Sequence, residues 1–191
     1  ESTHPKVDEW ADYLWHKGKL RAIFDFVQNK IEYTRDSLVR DTLRAPHVLI
    51  ERVERQGKTS GDCDCKVACA IALLLNRGIP VRAVAAHYLK GGGPPDTINH
   101  VYLEFKDVYG LMGKDKNKWY PMEPSSHLPL GQKSKAVIPL YYVYPTLGGK
   151  RIEDIVKKKK EGSMVVTKDE LEALKFFLPE KVSPKFRDAY N

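Results

Sequence analysis

Long hydrophobic runs are missing from this sequence. The longest apolar stretch, Val67 to Leu75, falls far short of the about 18 residues that a membrane span needs, so no membrane partner is expected. No secretory signal is visible. Cysteine is scarce, with three in 191 residues, all between Cys63 and Cys69. Such spacing is too close for ordinary disulfides, which excludes a disulfide-stapled secreted scaffold and points to a reduced setting. Acidic residues are outnumbered, 25 against 32 Lys and Arg, giving a net charge of +7. The excess is spread out: 11 basic against 8 acidic residues from Leu147 onward, and 21 against 17 before it. Only Lys157 to Lys160 form a run, so a solvated surface is expected and a nucleic-acid partner disfavoured.

What is present suits an ordinary folded chain. With 42% hydrophobic and 30% charged residues, 191 positions can build one sizeable core plus an appendage. Apolar spacing predicts a helix over 7–15, punctuation at Gly18, and a second helix whose stripe is Leu20, Ile23, Phe24, Val27 and Ile31. Pro46 suits the first turn of a third helix that stops before Gly57, and 56–61 reads as a polar loop. The stretch from about Lys66 to Arg77 is apolar nearly all round, so that helix must be buried; Gly78 and Pro80 end it. Strands are expected over 81–88, 100–105, 119–124 and 137–144, with a loop over 90–97. Helices followed by consecutive strands suggest an α+β fold, an antiparallel sheet packed on the buried helix. A core over 1–145 is expected, followed by a basic helical C-terminal extension over 146–191. In that extension 152–161 reads as a charged helix and Thr167-Lys-Asp-Glu170 as a capping box opening another, stopped by Pro179.

The chemistry centres on Gly61-Asp62-Cys63-Asp64-Cys65-Lys66, which feeds the buried helix. Cys63 sits where helix N–H groups converge and the dipole favours a thiolate. A catalytic thiol needs a base and a group that orients the base. His87, His100 and His127 are candidates for the base. His100 is favoured because it opens an alternating strand, with Val101, Leu103 and Phe105 on one face and His100, Tyr102 and Glu104 on the other. Glu123, at a Met-Glu-Pro turn, is the candidate orienting acid. A buried inert cysteine with an ordinary surface histidine accounts for the same spacing. A zinc site from Cys63, Cys65, Cys69 and a histidine is disfavoured, because Cys69 falls inside the apolar helix and no second ligand pair exists. Neither a metal nor a cofactor is expected. Tyr102 and Glu104 are candidates for lining a substrate cleft, or equally for a solvated strand face. Tyr141, Tyr142 and Tyr144 could stack nucleic-acid bases, but sheet core and edge is the reading preferred.

Four ordered motifs carry a family resemblance: Gly61-Asp-Cys-Asp64 at a helix head, Gly78-Ile-Pro-Val-Arg82, His100-Val-Tyr-Leu-Glu-Phe105 and Trp119-Tyr-Pro-Met-Glu-Pro124. Together with Ile31-Glu-Tyr33 and Leu43-Arg-Ala-Pro46, they make roughly residues 20 to 131 similar to the transglutaminase-like cysteine-protease superfamily, in its bacterial and phage Gly-Asp-Cys-Asp-Asp form. The resemblance implies a papain-like α+β core with Cys63 as nucleophile, His100 as base and Glu123 as orienting acid. It implies a peptidase or amidase acting on a protein or peptide through an acyl-enzyme, with transfer to amines as a variant. A non-enzymatic use of the same scaffold, as a virion or assembly component docked through the C-terminal extension, is the competing expectation. The setting expected is intracellular or virion-associated. Two positions depart from the pattern, which usually has Asp where this chain has Cys65 and Glu123. Cys65 is expected to be a small space-filling residue, or alternatively a partner that caps the nucleophile on oxidation, and Cys69 is expected in the core.

Overall fold

The structure is a computed structural model that describes residues 4–35, 43–113 and 115–144. The expected boundary near 145 and both C-terminal helices lie outside these residues. Three helices lie against a four-stranded sheet. Helix α1 (Pro5–Lys30) is two helical segments joined across a break at Gly18 and Lys19, where the sequence places its punctuation. Lys19 takes a left-handed φ of 53° there, so the chain turns sharply without leaving the layer. Helix α2 (Pro46–Gln56) begins on its proline and ends at Gly57, whose φ of 77° closes the last turn with a bond back to Val53. Helix α3 (Cys63–Asn76) is the apolar one; Cys65 through Leu75 are all buried.

Strand β1 (Ile31–Tyr33) pairs in parallel with β2 (Thr59–Gly61), aligning Tyr33 with Gly61. This small sheet lies in stretches expected to be a helix end and a polar loop. Six residues of backbone carry little hydrophobic pattern, and the pairing joins segments far apart in sequence. It fixes the chain just before α3, with the Thr34 N–H also donating to the Gly61 carbonyl at 3.0 Å.

The main sheet has the order β5-β4-β3-β6 and is antiparallel throughout. Its strands are β3 (Val81–Tyr88), β4 (His100–Lys106), β5 (Trp119–Met122) and β6 (Val137–Val143). The expected α+β architecture is the one observed. Val81, Ala83, Val101, Leu103, Phe105 and Met122 point inward and pack with α3, whose other sides are covered by Phe24, Val27, Leu49 and Ile50 of α1 and α2. The outward face is polar in part. Arg82 lies 4.1 Å from the ring centre of Tyr142 and 4.5 Å from that of Trp119 while pairing with Glu104, so the three outer tyrosine and tryptophan rings nearby serve the sheet. Among the described residues, no helix is long and apolar enough to cross a membrane.

Gly61 is a point of close approach between β2 and α3. A Cβ placed there would meet the Cβ of Cys65 at 2.8 Å and a methyl of Ile31 at 3.4 Å. Both neighbours are held in packed elements and cannot step aside. Gly61→Ala should therefore cost on the order of 1–3 kcal/mol by overpacking. Urea unfolding of the two proteins measures this, and an unchanged midpoint would contradict the close approach. Trimming Cys65 to Ala should not rescue the variant, because the collision is with Cβ.

Candidate active site

The first turn of α3 is built by Asp62. Its backbone is extended, as an N-cap requires, and its carboxylate accepts from the Cys65 N–H at 3.1 Å. Capping fixes where the helix starts, and so places Cys63 at the first helical position, half-buried. The helix starts three residues earlier than apolar periodicity alone suggests, because Cys63, Asp64 and Cys65 are recruited by the cap. Among the groups that act on the Cys63 thiol is the backbone N–H of Val101, which lowers it. Val101 directly follows His100 on β4, and β4 packs against α3, the helix that Cys63 begins.

Glu123 reaches the same place from β5. Its Oε1 lies 3.0 Å from Nε2 of His100, and its Oε2 accepts from the Ser134 N–H at 2.9 Å. Both side chains are largely shielded, at 12% and 4% exposure. Burial pushes the Glu123 carboxyl up. The His100 bond, the Ser134 N–H and the charges of His100 and Lys133 outweigh that and hold it below the ordinary range. With a carboxylate on Nε2, Nδ1 is the ring nitrogen left for a proton from sulfur.

Cys63 itself is a thiol in this state. The helix start was expected to favour the thiolate, but burial dominates and pushes the thiol up to about 12. The Val101 and Asp64 N–H groups pull the other way, while the charges of Asp62 and Asp64 add to the rise. A thiolate at this position therefore has to form by handing its proton to a neighbouring base.

The remaining candidates sort differently. Of the other histidines, His87 is buried, with Nδ1 at 2.9 Å from the Thr97 carbonyl, where it fastens the loop before β4; His127 is exposed on the turn after Glu123. Tyr102 has no exposed surface and packs with Val84, Ala86 and Val137. Glu104 is engaged by Arg82. These two thus build the outer layer of the sheet, where Tyr102 is covered, whereas a cleft wall and a solvated strand face were equally expected. The alternation of β4 gave the right face, but not the fact that this face is itself covered. Cys69 is fully buried in the core, as expected. Cys65 is buried too, and its sulfur accepts from the Arg44 N–H at 3.3 Å. None of the three cysteines is in a disulfide.

Three contributors escape sequence reading. Tyr33, at the end of β1 beside Gly61, has a phenol raised by its partial burial first and then by the negative charge of Asp62. Lys66 is buried one turn after Cys63, and its ammonium donates to the carbonyls of Gln28 at 3.1 Å and of Ile31. A lysine inside an apolar run is the one signal that could have found it. Gln28 faces the Glu123 turn. As for metals, Asp62, Asp64 and Cys65 bring one ligand atom each within 4.8 Å of one another. Two hard carboxylates, one of them spent on the helix cap, with a soft buried thiol make a donor set that matches no single common ion.

The α+β fold thus carries a cysteine at the head of its buried helix and a histidine–carboxylate pair on the strands beside it. Residues 7–124 match the model of the transglutaminase-like superfamily, and the chain belongs to it. No curated protein matches in sequence. Among solved structures, calcium-bound LapG of Legionella pneumophila is similar at 16% identity, over 88% of this chain and 83% of that one, with a TM-score of 0.51. A putative cysteine protease from Cytophaga hutchinsonii aligns at 20% identity with a TM-score of 0.47. That alignment covers 72% of this chain, and this chain spans only 41% of that one.

Two predictions concern ionisation. Glu123 has a folded-state value below its unfolded 4.5, so its contribution to stability is complete above 4.5 and disappears as pH falls through the lower value. Glu123→Gln should flatten that acid limb of the stability curve, and an unaltered limb would show the carboxylate to be uninvolved. Lys66 acts in the opposite range. Burial lowers its ammonium from 10.5 to about 8, so between these values the unfolded chain holds a proton the folded one lacks. Its contribution therefore rises from pH 8 to 10.5 and is a constant cost below 8. The three thiols, raised from 9.0 to about 12, erode stability above pH 9 and mask the gain in wild type. Hence the comparison with Lys66→Met is the measurement: the wild-type advantage should grow by up to about 3 kcal/mol across that window. A difference independent of pH contradicts the buried ammonium.

Proposed function

We propose that this chain is a cysteine-nucleophile amide hydrolase, a peptidase or amidase acting on a protein or peptide. One observation carries the reading. The Glu123 carboxylate lies 3.0 Å from Nε2 of His100, at the head of the strand that packs against the helix begun by Cys63. Membership of the transglutaminase-like superfamily supports the same assignment.

In the mechanism, the Cys63 thiol passes its proton to Nδ1 of His100 as sulfur attacks the substrate carbonyl carbon. A C–S bond forms, the carbonyl π electrons move to oxygen, and the imidazolium is stabilised by Glu123. The Cys63 N–H, at the start of α3, supplies one donor to that oxyanion in this reading. Collapse breaks the C–N bond, and His100 returns its proton to the leaving amine. Water then attacks the thioester with His100 taking its proton; the C–S bond breaks and sulfur recovers a proton. An amine in place of water gives transamidation with the same balance. The high thiol value fits a nucleophile that ionises only when His100 is in place to receive the proton. A scaffold without activity has no use for a buried carboxylate clamped by His100 and the Ser134 N–H, so the catalytic reading is preferred to the assembly one.

p-Nitrophenyl acetate provides the test, because its acetyl group can acylate the thiol and release coloured phenolate. A burst stoichiometric with protein is expected, absent in Cys63→Ala. Glu123→Gln should acylate on the order of 100-fold more slowly. Equal rates for wild type and Cys63→Ala would sink the proposal.

A further inference from the structure

Gln28 lies on α1, far in sequence from Cys63, His100 and Glu123, yet it is spent on the turn that carries Glu123. Its Nε2 donates to the Ser126 carbonyl at 2.7 Å and to the Leu128 carbonyl at 3.2 Å. Those two donations use both amide hydrogens. The turn they hold is bound internally: the Ser126 N–H and hydroxyl both donate to the Glu123 carbonyl, at 3.2 and 3.1 Å, and the Leu128 N–H donates to the Ser126 hydroxyl at 3.2 Å. Glu123 and the residues 126–128 thus move as one piece. The backbone carbonyl of Gln28 accepts from Lys66, one turn after Cys63 on α3. The end of α1 is therefore a polar bracket, with the nucleophile helix on one side and the acid turn on the other.

We infer that Gln28 is a positioning residue, which sets the Glu123 turn in register with the helix that carries Cys63. The inference rests on the catalytic reading above. β5 is a four-residue edge strand, so backbone pairing alone fixes the turn weakly. The amide fixes it against α1, whose own end is pinned to α3 by Lys66. A carboxylate that drifts by about 1 Å loses its hold on His100, and misplacements of that size cost up to about 100-fold in rate.

The test is acylation by p-nitrophenyl acetate across pH, in the full chain, for wild type, Gln28→Met, Gln28→Asn, Glu123→Gln and the Gln28→Met/Glu123→Gln double variant, with Cys63→Ala as baseline. Met keeps the length and loses both donors; Asn keeps the amide and loses the reach. Both single Gln28 variants should acylate about 10- to 100-fold more slowly, with the acid limb of the pH–rate profile displaced in the direction Glu123→Gln displaces it. The double variant should be no slower than Glu123→Gln, since Gln28 acts only through Glu123. A wild-type rate and profile in either single variant overturns the inference, as does a double variant whose losses multiply. Should Met at this position prevent folding, the Asn variant, which retains a polar amide, decides alone. Loss of the Cys63-dependent burst in wild type is a separate outcome that overturns the catalytic reading, and the inference with it.

Discussion

Everything in this structure follows from a helix that has no face for water. From Cys65 to Leu75 every side chain of α3 is buried, so the helix can exist only inside a complete shell. Helices α1 and α2 supply two sides and the sheet supplies the rest. Enclosure brings α3 against β4, the strand that opens on His100. A helix end buried in this way must satisfy its own N–H groups. Asp62 does so for the Cys65 N–H.

That enclosure has an electrostatic consequence. The shell which holds Cys63 in place also removes the water that would stabilise its thiolate, and Asp62 and Asp64 add negative charge nearby. The dipole of α3 works in the thiolate's favour, but it is a surface-scale effect of about 1 kcal/mol, whereas a rise from 9.0 to about 12 corresponds to roughly 4 kcal/mol. Burial wins. In the proposed mechanism the His100–Glu123 pair then has a definite part to play: it offers a proton acceptor whose positive form is already partnered. Lys66 obeys the same physics with the opposite sign, an ammonium kept inside by two carbonyls and made easier to deprotonate by its surroundings.

The sequence revealed what is local and periodic. An apolar run bounded by Gly78 and Pro80 announces α3, and strict alternation puts His100 on a defined face of β4. Glu123 was legible because Pro124 stops its strand, so the carboxylate had to lie at a strand end. What stayed hidden is set by contacts between distant segments. The β1–β2 pairing joins Ile31 to Thr59, with no pattern in six residues to betray it. Tyr102 and Glu104 were placed on the correct face, yet alternation cannot tell a solvated face from one with Val137 and Arg82 laid across it. Gln28 carries no sequence signal at all, since its partners are carbonyls that any residue would provide.

The two departures from the family's usual residues can be separated by where they lie. Glu123 has one methylene more than aspartate, yet it reaches His100 while its other oxygen is taken by the Ser134 N–H. The longer side chain thus still connects two fixed points, and a shorter one in the same backbone would have to choose between them. Cys65 lies on a different side of the first turn. Its Cβ abuts the bare α-carbon of Gly61, and its sulfur takes the Arg44 N–H. A carboxylate at that buried position would be a charge needing its own partners, whereas a thiol fills the space with one weak acceptor. The substitution at 65 therefore belongs to the packing of β2 on α3, and the substitution at 123 to the geometry of the histidine.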